Sequence, residues 1–235
     1  MDKRIVVLVL VVALGAGFFL MSGKQISPNP RVDSEDLSDM KAQLSLVRQK
    51  GDGARTANML YYFKYLGYPQ PATPEDAVIA GKTLDASRAS GDGLWVAEMI
   101  YVGRETNLGL KSEDSDLSVY RSSIEKYRAA KDGWGLAEMY YLMRKLDVKV
   151  DVSPEDEVVM RDTLREKQRV GSGWEVAAFY YLMRNAGFQL TPTAEDFSLM
   201  EASLATAMNA HDGWSIAAMQ YLIQDNSRAG LYVAG

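Results

Sequence analysis

The sequence contains no cysteine and a single histidine, His211. Without thiols there are no disulfides, thiolate nucleophiles, zinc fingers or cysteine-ligated clusters. One histidine cannot build the usual zinc or non-haem iron site, and no run of carboxylates has calcium-loop spacing such as D-x-D-x-D-G. A chain free of cysteine suits an oxidising compartment. Dense basic clusters are missing too. Lys and Arg number 26 against 31 Asp and Glu, for a net charge of -5 and a pI near 5.1. A nucleic-acid partner would need a basic stripe, so none is expected. The sequence also lacks G-x-S-x-G, a P-loop, H-E-x-x-H and a dinucleotide fingerprint. Acid pairs such as Glu35-Asp36 have the right chemistry for glycoside hydrolysis, but they recur at capping positions and mark no unique site. The expectation is a non-enzyme with no catalytic residue, no cofactor and no metal.

What is present begins with a hydrophobic run. Residues 5–21 (IVVLVLVVALGAGFFLM) carry no charge. At 1.5 Å per residue, roughly 17–19 residues span roughly 26–29 Å, close to a hydrocarbon core of about 30 Å. Lys3, Arg4 and the amino terminus precede the run and Lys24 follows it. That bias places the N-terminus in the cytoplasm and the rest on the periplasmic or extracytoplasmic side. The expectation is a single-pass signal anchor over 1–23. A cleaved signal peptide is the alternative, with Gly15, Ala16 and Gly17 as small residues. Against it, no A-x-A site ends the run. Residues 24–32 form a linker stiffened by Pro28 and Pro30.

Behind the linker a unit repeats every 40 residues over 33–228, with 229–235 as a tail. Turn triplets begin at Gly51, Gly91, Lys131, Gly171 and His211. A fixed period in this range marks a helical array. Six residues after the start of each triplet stand Ala57, Ala97, Ala137, Ala177 and Ala217. Four further on stand Tyr61, Tyr101, Tyr141, Tyr181 and Tyr221. That spacing puts both columns on one helical stripe, so a largely buried inner helix is expected after each triplet. Asp recurs at 36, 76, 116, 156 and 196, in contexts such as Thr73-Pro74-Glu75-Asp76 and Ser153-Pro154-Glu155-Asp156. A capping hydroxyl, proline at the first helical position and acids against the dipole announce an amphipathic outer helix. The aspartates read as caps rather than as an ion ladder. His211 reads as an exposed turn residue.

The fold class expected is all-α: five tandem 40-residue helix-turn-helix units, an α-solenoid behind one transmembrane helix. Stacked helices 8–10 Å apart would carry five units roughly 50 Å forward. Trp134, Ala137 and Tyr141 read W-x2-A-x3-Y, repeated at Trp174 and at Trp214. This resembles the first helix of a tetratricopeptide repeat, W-x2-L-G-x2-Y, and the related Sel1-like class. Here the family's Gly position holds Glu138, Ala178 and Ala218, and the period is 40 rather than 34. The resemblance implies a solenoid used for protein–protein contact.

Candidate contact residues follow. Trp95, Trp134, Trp174 and Trp214 lie at or near inner-helix starts, where they either pack between repeats or bind a peptide or glycan strand. No polar capping helix follows the fifth unit. An open apolar end is therefore expected at Ile216, Met219 and Ile223, beside Leu231 and Tyr232, covered by a partner or by self-assembly. The leading expectation is a membrane-anchored scaffold or accessory subunit. The alternative is a glycan- or peptide-binding module.

Overall fold

The computed structural model describes residues 32–226. They form ten helices: α1 Ser34–Gln49, α2 Gly53–Tyr65, α3 Pro74–Ser90, α4 Gly93–Glu105, α5 Asp116–Ala130, α6 Gly133–Lys145, α7 Pro154–Arg169, α8 Gly173–Ala186, α9 Ala194–Asn209 and α10 Gly213–Asn226. Odd-numbered helices are the outer partner of each hairpin and even-numbered helices the inner one.

Local chemistry sets these boundaries. Thr73, Ser153 and Thr193 close full capping boxes with Asp76, Asp156 and Asp196. Each inner helix follows a residue in the left-handed region, at Gly51, Gly91, Lys131, Gly171 and His211. The aspartates Asp52, Asp92 and Asp132 then accept from the third amide of the new helix. The alanine column is fully buried, and Met59, Met99, Met139, Phe179 and Met219 are no more than 1% exposed. The inner helices are the core, as their composition requires.

The aspartates also join repeats. Arg48 in the last turn of α1 grips Asp76 in the first turn of α3, with Nε to Oδ1 at 2.9 Å and Nη2 to Oδ2 at 2.7 Å. Arg88 grips Asp116 and Arg128 grips Asp156 in the same way. Gln168 serves Asp196 through its amide at 2.8 Å. The outer helices therefore follow one another head to tail around the circumference, a basic last turn against an acidic first turn.

Each inner helix starts on a glycine pressed against the next outer helix. A Cβ on Gly93 would lie 2.6 Å from the Val119 carbonyl oxygen, and one on Gly133 would lie 2.7 Å from that of Val159. The fifth of these glycines, Gly213, abuts Asp39 in α1. The array thus closes on itself. Further contacts across this seam run from Gln220 Nε2 to Asp36 Oδ2 at 2.8 Å and from His211 Nδ1 to Asp39 Oδ2 at 2.9 Å. The molecule is a ring of five helical hairpins, inner helices within and outer helices without.

Two expectations are corrected. The open C-terminal face does not exist: Ile216, Met219 and Ile223 are 0%, 1% and 5% exposed, because α1 and α2 pack on α10. The chain's own first repeat fills the place assigned to a partner, and the five units turn through a circle instead of advancing in a line. Leu231 and Tyr232 lie outside the described residues. The second correction concerns the membrane. Among the described residues no helix is long and apolar enough to cross one. The transmembrane segment expected at 5–21 lies outside the described residues. The fold class supported is all-α with ten helices in tandem, and the single-pass placement is withdrawn.

Candidate ligand-binding well

Closure brings the tyrosine column to the ring axis. The Tyr61 hydroxyl lies 3.0 Å from that of Tyr101 and 2.9 Å from that of Tyr221. Tyr221 donates to Tyr181 at 2.7 Å, and Tyr141 and Tyr181 are 2.6 Å apart. Five phenols thus satisfy one another where no water column is needed. Burial, and then their neighbours' charge, push Tyr61, Tyr141 and Tyr181 far above the ordinary phenol range. Those three hydroxyls stay protonated, and the five together form a plug across the axis.

On the side where the inner helices begin, the plug is the floor of a well of about 120 Å³. Its apolar walls include Val102, Leu142, Leu182 and Leu222, with Ala178 beside them. Its polar groups are Asn58 on α2, Glu98 on α4 and Glu138 on α6. Trp134, Trp174 and Tyr62 supply aromatic surface. Among the described residues no Lys or Arg lines it.

The two carboxyls share this space without a countercharge. The Asn58 amide donates to Glu98 Oε1 at 2.6 Å, and Trp134 Nε1 donates to Glu138 Oε2 at 3.1 Å. Burial raises Glu98 above the usual carboxyl range, against the pull of the Asn58 amide. Burial, and then the neighbouring Glu98, push Glu138 up to about 8. At neutral pH Glu138 holds its proton. A perturbed acid pair in a cavity is a reasonable marker of a functional site.

The four tryptophans separate. Trp134 and Trp174 stack with centroids 5.9 Å apart and planes 17° from parallel. Trp214 meets Tyr62 edge-on at 5.6 Å, with the Arg55 guanidinium 6.0 Å from its ring. Trp95 sits outside the ring, 41% exposed, because Leu94 occupies the inward position. It stands over a shallow open groove with Arg55, Lys82 and Ser90. So the ring gathers three tryptophans near the axis and leaves the fourth on the surface.

Glu98 and Glu138 were not singled out by sequence. The signal was present in the departure from the repeat pattern: a carboxylate at the family's glycine position, inside an otherwise apolar helix. Comparison with protein-family models, curated proteins and solved structures gives no match.

Proposed function

We propose that the protein is a non-enzymatic interaction module that takes a protruding group of a peptide partner into its axial well. The observation that carries this reading is the well itself, walled by Trp134 and Trp174 with Glu98 and Glu138 inside. Pockets that enclose a whole small molecule run to about 300–1,000 Å³. A well of about 120 Å³ accepts a side-chain end or a chain end instead. That size also disfavours the glycan reading, since a sugar ring with its hydroxyls overfills it. The mutual stacking of Trp134 and Trp174 further leaves only their outer faces for a sugar.

Filling the well tests this. Ala178 lines it on α8 and is 7% exposed. Peptides selected from a random displayed library on the native protein should bind Ala178→Leu at least about tenfold more weakly, about 1.4 kcal/mol. Helicity and Tm should stay near native. Equal binding to both proteins would remove the well from the function.

A further inference from the structure

We infer that the group the well takes is an organic ammonium: a lysine side-chain end, a peptide amino terminus or a free alkylamine. This rests on the well being the binding site, as proposed above.

Charge is the first argument. Glu98 and Glu138 line one half-open well, and among the described residues no Lys or Arg lines it. Arg55 lies against Trp214 and near Asp52 at 3.7 Å and does not line the well. Burial, and then the repulsion of its neighbour, make such an acid pair retain a proton. An ammonium supplies positive charge and displaces the proton.

Capacity is the second argument. A carboxylate accepts up to about four hydrogen bonds, whereas each of these carboxyls has one donor, from Asn58 or from Trp134. The remaining lone pairs match the donors of an ammonium group. Aromatic surface from Trp134, Trp174 and Tyr62 adds attraction for a cation and for the carbons attached to it. Size agrees as well. A half-open well of about 120 Å³ suits an ammonium head with its nearest carbons better than a whole small molecule.

Binding then depends on pH in a definite direction. The groups that bear on the pair are Asp92 and Asp132 at the starts of α4 and α6, Tyr62 from α2, and the tyrosine plug below. All the charges among them are negative, so none replaces the ammonium. Affinity rises as pH rises through the range in which the pair loses its last proton, and binding releases a proton.

The test uses the full chain with n-butylammonium, N-acetyl-lysine amide and glycinamide as probes. The uncharged isosteres n-butanol and N-acetyl-norleucine amide are the controls. Calorimetry in two buffers of different ionisation heat counts released protons, and tryptophan fluorescence reports occupancy. Between about pH 6 and about pH 9, a range that brackets the Glu138 value of about 8, n-butylammonium and N-acetyl-lysine amide, whose ammonium groups stay charged throughout, should gain at least about tenfold in affinity, with proton release at the acid end. The isosteres should not bind. Glu138→Gln and Glu98→Gln should each lose at least about tenfold. If either variant fails to fold, the pH dependence and proton count of the native protein decide alone. At about pH 6.5, where both amines are charged, preference for N-acetyl-lysine amide over glycinamide assigns a side chain, and the reverse assigns a chain terminus. Isosteres that bind as well as the amines, or an n-butylammonium or N-acetyl-lysine amide affinity that falls with rising pH, would overturn the ammonium assignment. Amine-free peptides that bind native protein but not Ala178→Leu would overturn it while leaving the peptide-binding reading intact.

Discussion

Asp156 does three jobs with one carboxylate. It accepts the Ser153 amide that closes its capping box, the Arg128 guanidinium and the Tyr140 hydroxyl at 2.7 Å. Burial works against its charge, but the Arg128 and Tyr140 hydrogen bonds outweigh burial and hold the carboxyl below its usual range. Asp36 occupies the same column without that support. Met208 stands where the arginine would be, so Asp36 receives the Gln220 amide and a backbone hydrogen bond from Asp33 in place of a guanidinium. Gln220 Oε1 is left without a hydrogen bond. Burial, and then Asp33, raise the Asp36 carboxyl above its usual range. Met208→Arg should restore the clamp. The expected outcome is a gain of about 1–2 kcal/mol, read as a higher Tm, with the Asp36 titration moved down in NMR. The capping role of this column was legible because Thr-Pro-Glu-Asp is a local signal. The clamp was not, because Arg48 and Asp76 are 28 residues apart and no rule of helical spacing links them.

At the scale of the helix pair, glycine and alanine set the approach distance. Gly133 sits where any side chain meets the Val159 carbonyl and Thr163 of α7. A methyl group there has no room, so Gly133→Ala forces α6 away from α7. The cost should be on the order of 1–3 kcal/mol, even though alanine is the better helix former. A denaturant titration that showed stabilisation would refute the close approach. The sequence displayed this column clearly, together with the alanine and tyrosine columns four apart. Helix existence, order and burial could therefore be read in advance. Periodicity says that neighbouring units are alike, but not how far each rotates relative to the last. The rotation is set by the glycine contacts and the head-to-tail clamps, which exist only in three dimensions. The same gap explains the well. Glu98 and Glu138 are 40 residues apart and acquire a common environment only when the inner helices surround an axis.

For the whole molecule, the seam between the fifth and first repeats differs in its response to pH from the junctions held by Asp116 and Asp156. His211 is raised by its hydrogen bond to Asp39 and then by that group's charge. Its stabilising contribution is complete below about 6.5 and is lost as pH rises through its folded value. Asp36, also raised, favours the folded state most when protonated, so its ionisation acts in the same direction. Asp116 and Asp156 are lowered, and their contribution is present above about 3.8 and lost in acid. Hydrogen exchange, corrected for intrinsic rates, should show α1 and α10 loosening relative to α5 and α6 between about pH 6 and about pH 8.5. His211→Asn should abolish most of that difference. Uniform protection across all ten helices would show that the seam is no weaker than its neighbours.

Closure has a genetic consequence as well. An open array can lengthen or shorten by whole units, because each new unit stacks on an exposed end. Here Gly213 already rests on Asp39, and each hairpin takes up one fifth of a full turn. A duplicated 40-residue unit would have no vacant place and could enter only by changing every junction angle at once. The ring therefore locks its copy number, and individual units are free to diverge in what they present to the axis. The sequence shows such divergence: Asn58, Glu98, Glu138, Ala178 and Ala218 occupy one column of five equivalent positions and carry three different chemistries.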